Sequence, residues 1–193
     1  MTKIHYPIDE YISQVETLLK DIKNRVFDFQ GELDEIRSIT VELSSSPEES
    51  LDEFNNQYAL LTAYVHRVAS ILIEVYAEKS YWQEFKSRSN SLYWRARNYL
   101  LTHREDIKKL RNKELQEASV HQEIPELVRI SDYVDRKLQT LDTLISIFKE
   151  KKEALDKANS NISRQQKVVE SLIGLGHPVV ASRGRTKTTT KNN

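Results

Sequence analysis

A chain of 193 residues with 38% hydrophobic and 30% charged side chains has little material for a core, and its four glycines and four prolines leave it as long helix or disorder. It has no cysteine, which excludes disulfides and thiolate metal sites and fits a reducing compartment. The 29 basic and 29 acidic groups cancel, but they are segregated: residues 1–78 carry 6 basic and 15 acidic side chains, residues 79–113 carry 10 and 3, and residues 177–193 carry four basic and no acidic ones. An acidic arm, a basic middle and a basic tail are surfaces suited to particular partners rather than an even coat of charge.

Three segments follow from this: an acidic helical arm over residues 1–46, a helical core over 47–176, and a disordered basic tail over 177–193. In the arm, Pro7 followed by Asp9 and Glu10 reads as a helix start. Ile8, Tyr11, Ile12, Val15, Leu18, Leu19, Ile22, Val26 and Phe29 then recur at three- and four-residue spacing, an amphipathic helix that Gly31 is placed to interrupt. Leu33, Ile36, Ile39, Val41 and Leu43 continue less regularly. Ser46, Pro47 and Glu49 have the spacing of an N-cap, a first-turn proline and a capping box. Beyond them the helical pattern runs without glycine or proline to Pro125, with Asn112 as a possible break and a short helix around Lys113 to Val120.

Pro125 opens the last helix. Leu127, Val134, Leu141, Phe148, Leu155, Ile162 and Val169 stand at successive seven-residue steps, the pattern of a coiled-coil seam. The accompanying line, Ser131, Leu138, Ile145, Lys152, Asn159, Gln166 and Ile173, is polar in its middle. Gly174 and Gly176 supply a stop and Pro178 prevents resumption. The expected fold is all-α: an extended antiparallel bundle of helices over 48–111 and 125–173 that forms homo-oligomers through the seam. Apolar runs such as Ala69 to Val75 are too short to span a bilayer, and the first residues lack the apolar core of a signal peptide. The expectation is a cytoplasmic protein with no membrane partner.

No phosphate-cradling loop, paired-histidine zinc motif or nucleophile elbow is present in the sequence, so no catalytic residue, metal or cofactor is assigned. The segment from Lys79 to Lys113 carries the distinctive chemistry. Projected at about 100° per residue, Tyr81, Phe85, Leu92, Ala96, Tyr99, His103, Ile107 and Leu110 form a face expected to be buried. Lys79, Lys86, Arg97, Arg104, Lys108 and Arg111 line one flank; Arg88, Arg95, Lys109 and Lys113 line the other; Trp94 projects beside the first row. Cationic rows beside an exposed aromatic ring suit single-stranded nucleic acid, since cations meet phosphates and a ring stacks on any base. The plainer alternative is that lysine and arginine stems cover core edges and their charges answer an acidic protein surface. A membrane-surface helix is a third reading, weakened because the apolar face is needed for packing.

The run Trp94-Arg95-Ala96-Arg97-Asn98-Tyr99, preceded by Tyr76 and Lys79-Ser80-Tyr81-Trp82 and followed by Gln165 to Ile173 and Ile173-Gly174-Leu175-Gly176, resembles the phage recombination mediator (UvsY-like) family over roughly residues 60–176. The arm and tail are longer than the family pattern. The resemblance implies a homo-oligomer, in the host cytoplasm if phage-encoded, that binds single-stranded DNA and helps load a RecA-type recombinase in place of single-strand-binding protein. It implies that Arg95 and Arg97 contact DNA. The expected site is therefore Arg95, Arg97, Lys86, Arg104, Lys108 and Arg111 on phosphates, with Trp94 stacking on bases. The alternative is a coiled-coil scaffold whose basic helix binds an acidic protein partner.

Overall fold

The computed structural model describes residues 8–25, 28–40 and 51–176. The expected helix start at Pro7, the capping box at Ser46 to Glu49 and the tail lie outside the described residues. Within them the fold is all-α, with no strand: α1 (Ile8–Asn24), α2 (Gln30–Ser38), α3 (Leu51–His103), α4 (Glu105–Lys108), α5 (Lys113–Glu123) and α6 (Pro125–Gly174).

Helix ends follow local chemistry. The arm breaks before Gly31, which lies inside α2. The Asp28 carboxylate accepts from the Gln30 N–H at 3.0 Å and satisfies a donor that an α-helix start leaves open. The long basic helix ends at His103 rather than at 111, because Arg104 takes an extended backbone (φ −94°, ψ 98°). Asn112 caps α5, its Oδ1 accepting from the Glu114 N–H at 2.8 Å. Ile124 leaves the helical region just before Pro125, as a residue preceding proline is pressed to do. Gly176 adopts φ +79° after α6, the left-handed conformation that only glycine takes without strain.

The chain divides into two compact units, Met1–Gln30 with Glu74–Ile145 and Gly31–Ile73 with Ser146–Asn193. In the first, α3 and α6 run antiparallel. Lys79 meets Asp142 at 2.5 Å and, seven residues on, Lys86 meets Asp135 seven residues back at 2.6 Å. Between them Trp82 and Tyr133 pack edge to face at 5.8 Å. In the second unit α2 lies along the helices. Its Glu35 pairs with Arg67 at 2.8 Å, and Lys151 donates to the Ile39 carbonyl at 2.6 Å.

The α6 seam expected to join separate chains is covered within this one. All seven seam residues, Leu127 to Val169, are at most 3% exposed. The reason is a second heptad line, in α3: Phe54, Leu61, Val68, Val75, Trp82, Ser89 and Ala96 stand at seven-residue steps and are at most 5% exposed. Two such stripes complete each other's cores. The α3 stripe escapes a simple apolar count because Ser89 and Ala96 weaken it. Its companion line, Ile71, Glu78, Phe85 and Leu92, contains a carboxylate.

That carboxylate, Glu78, is 1% exposed. Arg25 holds it with Nε at 3.1 and 3.2 Å and Nη2 at 2.6 Å, while Trp82 Nε1 donates to it at 2.7 Å. The Arg25 guanidinium also lies 3.7 Å over the Tyr81 ring. The ion pair therefore pins the end of α1 to α3, and the hydrogen bond that Arg25 donates to Glu78 raises the Arg25 pKa further.

By length and composition α3 is also the one helix among the described residues able to cross a membrane, although no single apolar run within it is long enough. A third of its apolar window is buried: Leu61, Val68, Ile71, Leu72 and Val75 lie in the core, whereas Leu60 and Ile73 are exposed.

Candidate nucleic-acid interface

The expected buried face of the basic helix is partly right. Phe85, Leu92, Ala96 and Ile107 are buried, Tyr81, Tyr99 and Leu110 are half-buried, and His103 is exposed. The projection missed Trp82, fully buried on the heptad line. Its place was visible in the seven-residue step from Val75.

The six expected cationic site residues separate into two groups. Lys86, Arg97 and Arg104 are each engaged by carboxylates of the same unit. Lys86 pairs with Asp135 at 2.6 Å. Arg97 reaches Glu117 of α5 through Nε at 2.7 Å and again through Nη2. Arg104 grips Asp106 through two bonds of 2.9 and 3.0 Å and meets Glu123 at 3.1 Å. Lys79, from the same flank, meets Asp142. On the other flank Arg88 lies 3.6 Å from Asp21 of α1, and Lys109 pairs with Glu105. These pairs perturb the acids as expected: Arg104 holds the Asp106 carboxyl at about 2, and the hydrogen bond from Arg97 lowers Glu117.

Arg95, Lys108 and Arg111 form the other group. All three are exposed, and none forms an ion pair with a described residue. Lys113, at the start of α5, is in the same state. Trp94 is 54% exposed, as the projection required, with its ring edge-on to Tyr93 at 5.7 Å. The Arg97 guanidinium stands 5.1 Å over the Trp94 ring.

Arg97 thus belongs to a cluster at the α3–α5 junction. The Tyr93 hydroxyl shares a 3.0 Å hydrogen bond with His121 Nε2 and lies 3.4 Å from Glu117. Burial, then the neighbouring Glu117 charge, raises the Tyr93 pKa. The cluster fixes Arg97 and, through it, one face of Trp94. Arg95 beside them is exposed and forms no ion pair with a described residue. What this surface can do chemically is bind: an indole face for a flat apolar ring, with unanswered positive charge nearby. Among the described residues no group of three or more histidine or acidic side chains is placed to hold a metal ion.

Comparison of the chain with protein-family models, curated proteins and solved structures finds no match.

Proposed function

We propose that this chain is a non-enzymatic single-stranded-DNA-binding protein, acting as a homo-oligomeric recombination mediator that helps load a RecA-type recombinase in place of single-strand-binding protein. The observation that carries the reading is the exposed Trp94, supported by Arg97 and flanked by the unpaired Arg95. Lys108 and Arg111 supply further unpaired cations in the same unit. In this reading Arg95, Lys108 and Arg111 take phosphates and Trp94 stacks on a base. Arg97 orients Trp94 rather than neutralising a phosphate, and Lys86 and Arg104 remain with their carboxylates.

This division makes a quantitative expectation. Six phosphate contacts would give a salt slope of about −4 for a single strand, whereas three or four would give about −2 to −3. A titration of oligothymidylate at several salt concentrations, with the full chain and with a chain ended after Gly176, tests it. Salt-sensitive binding by both proteins with the shallower slope supports the reading. No binding by the shortened chain at low salt would remove the site from the helical body.

A second reading has its own observation. Asp142, Asp135, Glu117 and Glu123 answer four cations of the first flank, which is how a basic helix is used in a helical scaffold. That protein would show no nucleic-acid affinity once the tail is removed.

A further inference from the structure

The first unit contains a cavity of about 630 Å³ that the proposed DNA surface does not use. Its volume lies in the range of about 300–1,000 Å³ typical of small-molecule sites. The floor is apolar and comes from three parts of the chain: Val15 on α1, Ala96, Tyr99 and Leu100 on α3, and Ile124 before α6. Val15, Ala96 and Ile124 are at most 6% exposed.

The polar part of the lining is lopsided in charge. Glu16 and Glu126, both exposed to solvent, line it, and neither forms an ion pair with a described residue. Arg104 lines it too, but its single positive charge is shared between Glu123, a further lining residue, and Asp106. Acidic charge is therefore in excess. An apolar chamber lined by exposed carboxylates favours a ligand with a hydrocarbon or aromatic body and a cationic head, because the body leaves water while the head pairs with a carboxylate at the surface.

We propose that this cavity binds a small amphipathic amine, with its apolar body between α1 and α3 and its ammonium group facing Glu16 and Glu126. The site is independent of the DNA reading, sharing with it none of Trp94, Arg95, Lys108 or Arg111.

The probes are octylammonium, octanol and octanoate, which differ only in the head group, titrated into the full chain by calorimetry. Octylammonium should bind saturably at one per chain and tighter than octanol, with octanoate weakest. Glu16→Gln with Glu126→Gln should weaken octylammonium by about fivefold, the upper range for partly exposed ion pairs, and leave octanol unchanged. Leu100→Trp, which partly fills the chamber, should weaken all three while helicity is retained. If that variant does not fold, Ile12→Trp, at a lining position already 47% exposed, takes its place. Absence of saturable octylammonium binding, equal binding of octanoate, or binding unchanged in the filled variant would each overturn the proposal.

Discussion

Replacing Arg25 by alanine strands the Glu78 carboxylate in the α3 core line, where 1% of it is exposed. Removing one partner of a buried ion pair typically costs about 3–5 kcal/mol. Here the Arg25 side chain is 39% exposed and Trp82 Nε1 still donates to the carboxylate, so water and one hydrogen bond soften the loss. We expect about 2–3 kcal/mol for Arg25→Ala. The reverse truncation should be milder. Glu78→Leu leaves Arg25 free to turn toward water, and places an apolar side chain in an apolar stripe. Its remaining penalty is the Trp82 N–H left without an acceptor, about 1 kcal/mol or less once the gain in apolar burial is counted. Urea denaturation followed by far-UV circular dichroism measures both. At about 2–4 °C per kcal/mol for a chain of this size, Arg25→Ala should also lower Tm by about 4–12 °C. If Glu78→Leu proved more damaging than Arg25→Ala, or if Arg25→Ala changed stability by less than about 0.5 kcal/mol, the buried carboxylate would not depend on Arg25.

Other perturbations separate core from surface. Leu155→Ala, on the seam at 0% exposure, should cost about 2–5 kcal/mol, whereas Trp94→Ala should stay within about 0.5 kcal/mol in the same denaturation assay. Arg95→Ala should reduce DNA affinity and make the salt slope shallower by about 0.7, but Lys86→Ala should leave the slope unchanged, because Asp135 already neutralises that lysine. The Arg97–Glu117 pair depresses the glutamate below its ordinary 4.5. Its stabilisation is therefore fully present above pH 4.5 and is lost as pH falls through the lower folded-state value. Amide exchange in α5 should accelerate selectively in that acid window, and Glu117→Gln should abolish the selectivity. Uniform exchange across the window would count against the pair as the clamp of α5.

Much of the helical frame was legible because local chemistry sets it. Pro125 as a helix start, Asn112 as a break and Gly176 after α6 all act through their own backbone or side chain. The α6 stripe was equally plain, since seven apolar residues recur without interruption. Its partner was not, because that partner is α3, whose matching line includes Ser89 and whose companion line includes Glu78. A polar residue in a core line reads as a break in periodicity until its tertiary partner is known; for Glu78 that partner is Arg25, 53 residues away. The arm break was misplaced for a local reason: Asp28 accepts from the Gln30 N–H at the start of α2, and Gly31 lies inside that helix.

The candidate site divides along the same line. Charge segregation and the outward projection of Trp94 follow from sequence alone. Which cations remain unpaired does not, because Asp135, Glu117 and Glu123 reach them only after folding. The two basic rows suggested phosphate contacts along the helix; among the expected site residues, folding leaves Lys108 and Arg111 of one row and Arg95 of the other without an ion pair to a described residue.

The most direct test of DNA binding at Trp94 is intrinsic fluorescence, since the chain has two tryptophans and one of them, Trp82, is fully buried. Oligothymidylate added to the full chain should quench emission saturably through stacking on Trp94, and Trp94→Phe should remove that quenching while the folded state persists. Saturable binding detected by anisotropy of labelled DNA, with Trp94 emission unchanged, would contradict the account and move the strand to another surface.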